Sequence, residues 1–392
     1  MTTLDMDEKR KRPIRKKVLI RLLLVLLSVC VVGVAAFSIY SFYKSRYGTY
    51  DHYDVITTVE KGGGTSVDFK SYNGLLLKYS RDGATAMSES GEFLWNGSYE
   101  MKDPIVDTCG DYVAIADRGS KLVHIFNGSG PVNNITVDFP ILQVQVANQG
   151  MVAVMMEAEN VAYINIYRPK GTVNQQIIKP IELAGFPLSM ALSNDGSRLV
   201  FSFLDVTSGT VKTNIACHNF DEVGQNEENN FVGGFIYEGV IAKVDFINNE
   251  IVCFYNEDGF TLYRFDERLA QTSIADVQFE EQVNSIFSTS QYVGFVLDSS
   301  EENSKYKVLI YDVKGSKVLE EDFNFDYSGI HMNGSEIVFY NYSECKVMNV
   351  KGNIRFQYQF EEGIDAMFVA SSNKYYVVHS NEIEVICLKG AK

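Results

Sequence analysis

VNSIFSTSQYVGFVLDSSEENSKYKVLIYDVKGSKVLEEDFNF, residues 283–325, contains four short runs: VNSIFSTS, YVGFVLDS, YKVLIYDV and KVLEEDFNF. Each is rich in Val, Ile, Tyr, Leu or Phe, and Ser, Asn, Asp and Gly gather between them. Short alternating or apolar runs bounded by such residues read as β-strands joined by tight turns. Four strands in about 40 residues is the size of one blade of a β-propeller.

The third run ends in Lys314–Gly315, and that ending recurs through the chain. It appears in INIYRPKG (164–171), KVMNVKG (346–352) and EVICLKG (384–390), with looser forms in ATAMSESG (84–91), LVHIFNG (122–128) and IACHNFDEVG (215–224). Successive glycines from Gly91 to Gly390 are 37, 43, 53, 91, 37 and 38 residues apart. The longest gap is two units, with TLYRFDERL (261–269) supplying the turn inside it. The reading is an all-β propeller of eight blades, with a seven-bladed ring containing one irregular unit, or a two-sheet sandwich, as the alternatives. In another unit SNDGSRLVFSF (193–203) supplies an Asn-Asp-Gly hairpin between the first two strands.

The ends of the repeat region fit a closed ring. Only two residues follow Gly390, so the last unit lacks a fourth strand, while YDVITTVE (53–60) is a spare strand before the first unit. Pairing the spare strand onto the last blade removes two exposed sheet edges.

Upstream of the repeats, seven basic residues (Lys9, Arg10, Lys11, Arg12, Arg15, Lys16 and Lys17) precede LLLVLLSVCVVGVAAFSIYSFY, residues 22–43, which has no charge. As a helix this stretch is about 33 Å long, enough for the hydrocarbon core of a bilayer. Tyr40, Phe42 and Tyr43 would form an aromatic belt, and the basic flank puts the N-terminus in the cytoplasm. A cleaved signal peptide is the competing reading; the apolar run continues past the small residues Gly33 and Ala35 to Tyr43. The expected organisation is a cytoplasmic basic tail at 1–17, a transmembrane helix at 18–43, a linker at 44–52 and an extracytoplasmic propeller at 53–392 closed by strand 53–60. The expected location is the cell membrane, crossed once.

Beyond residue 43 the chain keeps 27 of its 35 basic and 47 of its 50 acidic side chains, a net charge of −20. Such a surface is poorly suited to nucleic acid, which needs clustered Lys and Arg. Cys109, Cys217, Cys253, Cys345 and Cys387 form no C-x-x-C pair and mostly sit in apolar runs, so buried thiols are expected. No H-E-x-x-H, G-x-S-x-G, Walker loop or dinucleotide fingerprint occurs. Ser371-Ser-Asn-Lys374 fits S-x-x-K but lies between two strands and reads as a turn. Catalytic residues, metal ligands and a cofactor are therefore not assigned.

Charge does select a face. In a four-stranded blade the turn after the second strand and the link to the next blade share one face of the ring. The other turns share the opposite face. On the first face the second-strand turns contain Asp117, Glu157, Glu159, Glu257, Asp258, Asp298, Glu301, Glu302, Glu344 and Glu382, and a blade link adds Glu361 and Glu362. The opposite face contains Lys170, Lys314, Lys351 and Lys389. The acidic face is the candidate partner-binding surface.

With anchor and repeats in place, the chain resembles an uncharacterised family, a domain of unknown function, of membrane-anchored propeller proteins from Gram-positive bacteria. The blades are also distantly similar to quinoprotein-like and WD40-like propellers through SNDGSRLVF and the lysine–glycine turns, although Trp95 is the sole tryptophan. The expected function is a non-catalytic binding or scaffold module at the cell envelope, holding a protein, a peptide or a glycan. The rivals are an enzyme acting on envelope glycans and a sensory subunit of a membrane complex. Carboxylates converging on the central channel with shifted pKa values would favour the enzyme, and an acidic face without them would favour binding.

Overall fold

The computed structural model describes residues 22, 24–38, 48–62, 66–207, 209–266 and 268–390. The chain divides into two compact units, Met1–Thr49 and Tyr50–Lys392. In the first, residues 22 and 24–38 are helical and exposed. Among the described residues no helix is long and apolar enough to cross a membrane. The basic tail 1–17 and the remaining residues of the expected span 18–43 lie outside the described residues.

The second unit is a propeller of eight four-stranded antiparallel sheets. Seven blades use four consecutive strands each. The eighth combines Ile364–Ser371, Lys374–His379 and Glu382–Lys389 with His52–Glu60 from the start of the unit. The first strands of the blades are Asp68–Tyr72, Pro104–Cys109, Ile141–Val146, Phe186–Leu192, Ile241–Phe246, Val283–Ser288, Gly329–Asn333 and Ile364–Ser371. First strands of neighbouring blades touch one another at most of the seams, so they ring the central channel.

The recurring turn has a local cause. Gly315 and Gly352 have φ of +79° and +82°, a region where a side chain is strained. The residue three places earlier caps each turn. Asp312 Oδ1 accepts from the backbone N–H groups of Lys314 and Ser316, and Asn349 Oδ1 from those of Lys351 and Asn353. The glycine and the Asp or Asn thus build the turn, whereas the lysine contributes its backbone.

The hydrophobic core is divided among the seams between blades. Eight clusters of buried side chains fill them, such as Phe260, Phe295 and Leu309 between blades 5 and 6. Between blades 1 and 2, Trp95 stacks on Phe126 with ring centroids 4.8 Å apart. Each fully buried large side chain contributes roughly 1.5–3 kcal/mol. The inner strands of a blade therefore need apolar residues on both faces, which explains continuous runs such as VAVMM at 152–156.

First strands have one unpaired edge, and its backbone groups need partners. Side chains of the preceding blade supply several. Val146 N–H donates to Asp107 Oδ2 at 2.8 Å, Met190 N–H to Gln143 Oε1 at 2.8 Å, Leu192 N–H to Gln145 Oε1 at 3.1 Å and Val244 N–H to Ser189 Oγ at 3.0 Å. These bonds stitch blades 2 to 5 around the channel.

Candidate functional site: the acidic face and the channel mouth

His52–Glu60 pairs antiparallel with Glu382–Lys389, from His52 opposite Lys389 to Glu60 opposite Glu382, with a bulge between Val55 and Thr57. The strand therefore enters at the end of its neighbour and leaves at that neighbour's start, on the face of the second-strand turns. Glu60, Lys61, Ser380, Asn381 and Glu382 line a depression of about 610 Å³ there. A second hollow of about 210 Å³ shares Ser380, Asn381 and Glu382 and adds Glu362 and His379. Lys61 Nζ donates to Asp365 Oδ2 at 2.6 Å and to the His379 carbonyl at 3.1 Å, while Glu60 lines the first hollow, Glu362 the second and Glu382 both.

The expected acidic residues divide into distinct groups. Glu159, Glu257, Asp258, Glu301, Glu302, Glu361 and Glu362 are exposed and, among the described residues, form no ion pair. Asp298 is exposed but accepts from Asn284 Nδ2 at 2.7 Å. Glu157, Glu344 and Glu382 are half-buried. Asp117 is the correction. It is buried, and its Oδ1 accepts from the backbone N–H groups of Lys102 and Asp103, both at 2.9 Å, so it holds the link between blades 1 and 2 instead of facing a partner. Other carboxylates of this face are neutralised locally, Glu238 by Lys212, Glu281 by Lys307 and Asp326 by Lys305.

Apolar residues on the same face escaped the charge reading. Leu183 is 83% exposed in the link from blade 3 to blade 4, with Phe186 51% exposed beside it. Val206 and Val211 are exposed in the second-strand turn of blade 4. Phe186 pairs with Leu204, and Asp205 with Lys212, so link and turn are neighbours. The signal was the run ELAGFP (182–187), whose apolar residues fall at the link and the first position of the following strand.

The opposite end of the channel has a cavity of about 290 Å³ lined by the first strands and first turns of blades 2 to 6. Asp107 and Asp245 both reach it. Asp107 Oδ1 is 3.8 Å from Lys70 Nζ, and Asp245 Oδ2 is 3.4 Å from Lys243 Nζ and 3.3 Å from Ser288 Oγ. Burial raises the Asp107 pKa from its ordinary value, and the charge of Asp245 adds slightly to the rise, against the lowering effect of Lys70 and the Val146 N–H. A quarter of the Asp107 side chain still meets channel solvent. Cys109 lines the same cavity; burial pushes its thiol up to about 11, so it is a thiol and not a thiolate at neutral pH.

Ser371 and Lys374 form the turn expected of them, and both bind Glu89: Ser371 Oγ to Oε2 and Lys374 Nζ to Oε1, each at 2.8 Å. All six cysteines are free, and Cys217, Cys253 and Cys345 are buried. Among the described residues no three His, Cys, Asp or Glu side chains come together as a metal site.

The fold and its two polar faces define an eight-bladed β-propeller closed by its first strand. The sequence matches the family of unknown function DUF5711 over residues 46–388, and the chain belongs to that family. No curated protein matches it in sequence. Among solved structures it is similar to a eukaryotic initiation factor, with TM-score 0.55 and 12% identity over 88% of this chain and 89% of that one. It is also similar to BamB from Moraxella catarrhalis, with TM-score 0.49 and 12% identity over 87% of this chain and 99% of that one. At such identities the initiation-factor likeness speaks for the fold alone.

Proposed function

We propose that this chain is a single-pass membrane protein of a Gram-positive cell envelope whose extracytoplasmic propeller acts as a non-catalytic scaffold, binding a polypeptide through the face of the second-strand turns. The observation that carries the reading is the composition of that face. Unpaired carboxylates at Glu257, Asp258, Glu301, Glu302, Glu361 and Glu362 share it with the exposed apolar group of Leu183, Phe186, Val206 and Val211. Apolar side chains exposed together among polar ones mark interaction surfaces, and unpaired carboxylates add long-range attraction for a basic partner. The anchor rests on the uncharged stretch 22–43 beside a basic flank.

Asp107 and Asp245 are the feature that favours the enzyme reading. Their surroundings support binding instead. Each has an ammonium partner, and Asp107 is also fixed by the Val146 N–H in the same kind of stitch that Gln143, Gln145 and Ser189 make.

The test is crosslinking in intact cells with identification of the captured partner. Changing Glu301, Glu302, Glu361 and Glu362 to Lys weakens capture in a salt-dependent way, and Leu183→Asp with Phe186→Asp weakens it without salt dependence. Undiminished capture by both variants refutes this face as the binding surface.

A further inference from the structure

The clasp strand fixes where the chain enters the propeller. Tyr50 N–H donates to the Arg355 carbonyl at 2.7 Å and Asp51 N–H to the Lys389 carbonyl at 3.1 Å. Arg355 follows the Lys351–Gly352 turn of blade 7, and Lys389 ends the third strand of blade 8. The chain therefore arrives between two of the lysine–glycine turns, on the face opposite the proposed polypeptide surface.

Charge on that face is sorted by blade. In blades 6, 7 and 8 the first turns, at 289–291, 334–335 and 372–373, contain no charged residue. The third-strand ends of the same blades expose Lys314, Lys351 and Lys389. Carboxylates close to these lysines are engaged locally. Asp312 caps its own turn, Asp51 Oδ1 lies 2.6 Å from His52 Nδ1, and Asp54 Oδ2 lies 3.5 Å from Lys389 Nζ. Glu89, paired with Lys374, and the exposed Glu92 bound this sector on the blade 1 side. Blades 4 and 5 differ, with Asp195 and Glu250 in first turns and Asp221, Glu222, Glu227, Glu228 and Asp266 in third turns. The face is thus basic beside the chain entry and acidic across the ring.

The turns do not require these lysines. Lys314 and Lys351 give their backbone N–H groups to Asp312 and Asn349, and the glycine supplies the left-handed residue. The recurrence of lysine there is a property of the surface and not of the fold.

Charge and tether length together select the occupant. Exposed ammonium groups suit phosphate-bearing headgroups, and each one near an anionic bilayer shifts docking about fivefold. The effect acts only within a Debye length of about 8 Å. Six residues, 44–49, separate the uncharged stretch 22–43 from Tyr50, and a chain of that length reaches at most roughly 25 Å. Such a tether keeps a bilayer at high effective concentration around these turns, an advantage that no soluble anion shares.

We propose that the third-strand turns of blades 6 to 8 are a docking surface for anionic lipid headgroups, with Lys314, Lys351 and Lys389 as the contacts. The inference rests on the reading of 22–43 as the membrane anchor. It leaves the second-strand face open to its partner.

The test uses the sole tryptophan as a built-in donor. Trp95 is the third residue of Phe93–Ser98, a strand that starts on the docking face in blade 1, next to blade 8. The full-length chain is reconstituted in phosphatidylcholine nanodiscs, with or without phosphatidylglycerol, containing dansyl-labelled headgroups. Energy transfer from Trp95 rises when phosphatidylglycerol is present, and high salt removes the rise. The triple change Lys314→Glu, Lys351→Glu and Lys389→Glu abolishes it. Because Lys389 also faces Asp54 in the clasp, the double change Lys314→Glu with Lys351→Glu is measured as well, and it removes most of the rise with an unchanged melting temperature. Lys102→Glu with Lys121→Glu, exposed lysines of the second-strand face, leaves the rise intact. Transfer indifferent to phosphatidylglycerol, or a rise that both lysine variants of the docking face retain, overturns the docking surface while the anchor stands. Soluble polyphosphate that binds the unaltered chain and not the variants, without any lipid-dependent rise, assigns the lysines to a soluble polyanion and overturns it too. A chain that separates from the discs in detergent-free buffer overturns the anchor and this inference together.

Discussion

Arg355 Nη1 donates to Glu336 Oε1 at 2.5 Å, with both side chains less than 10% exposed. The same guanidinium donates through Nη2 to the Tyr50 hydroxyl at 3.0 Å and lies 5.2 Å from the centre of the Tyr50 ring, while Tyr50 N–H donates to the Arg355 carbonyl at 2.7 Å. The first residue of the propeller unit is thus fixed to blade 7 by a buried ion pair. Burial raises the Glu336 pKa, and Arg355 only partly offsets it. Removing one partner leaves the other charged and buried, so Arg355→Met destabilises the propeller by about 3–5 kcal/mol. The double change Arg355→Met with Glu336→Leu costs much less, because no buried charge remains. Urea unfolding of the two variants checks this, and equal losses would refute it.

Two histidines, His218 buried and His331 half-buried, set a pH dependence. His331, against Phe368, and His218, whose Nδ1 lies 2.8 Å from the Asn229 carbonyl, each have a buried Nε2 without a hydrogen bond. Burial pushes both down to about 4, from an ordinary value of 6.5. The unfolded chain therefore binds more protons than the native one between these values. Stability rises with pH across that window and levels off above about 6.5. His331→Phe removes one titrating group and one unsatisfied nitrogen. The urea midpoint then falls less between pH 7 and pH 5 than in the unaltered protein; an unchanged slope would count against His331.

The eight blades were legible because the turn from third to fourth strand is local and repeats: a left-handed glycine stands there at Gly91, Gly171, Gly315 and Gly352, with an Asp or Asn cap at the last two. The charges of the second-strand face were legible because turn residues can be placed once the blades are counted. Asp117 stands at the second-strand end where the sequence puts it, but a carboxylate there looks the same in sequence whether it meets solvent or two backbone N–H groups. The channel mouth was illegible for a different reason. Asp107 and Asp245 belong to blades 2 and 5, and they line one cavity only because the blades are arranged in a ring. Gln143, Gln145 and Ser189 likewise look like solvent-facing positions of alternating strands, yet they satisfy a neighbouring blade's free edge.

Closure through His52–Glu60 predicts a cooperative dependence on this one strand. Tyr53 packs on Tyr358 and Phe360 at centroid distances of 5.0 and 5.7 Å, so the strand contributes to the seam between blades 7 and 8 as well as to the sheet. Removing residues 1–60 leaves blade 8 with an exposed edge and opens that seam. The shortened chain aggregates or is cut rapidly by protease, whereas a chain beginning at residue 48 melts in one sharp transition. Equally cooperative melting of both would show that the ring closes without the strand.

The last pair of that strand carries a conflict between stability and binding. Glu60 stands directly opposite Glu382, two carboxylates facing each other across an antiparallel pair at the rim of the acidic hollows. Like charges in that position are destabilising, and an opposite-charge pair stabilises by roughly 0.2–1 kcal/mol. Glu382→Lys replaces repulsion with attraction, so the melting temperature rises by a few degrees at low salt and the gain shrinks as salt is added. The same change puts a positive charge between Glu60 and Glu362, so it weakens capture of the crosslinked partner. Stability and capture then move in opposite directions for a single substitution, which loss of folding cannot produce. A variant that is stabilised and still captures its partner fully would place the partner elsewhere on the face, away from Glu60, Glu362 and Glu382.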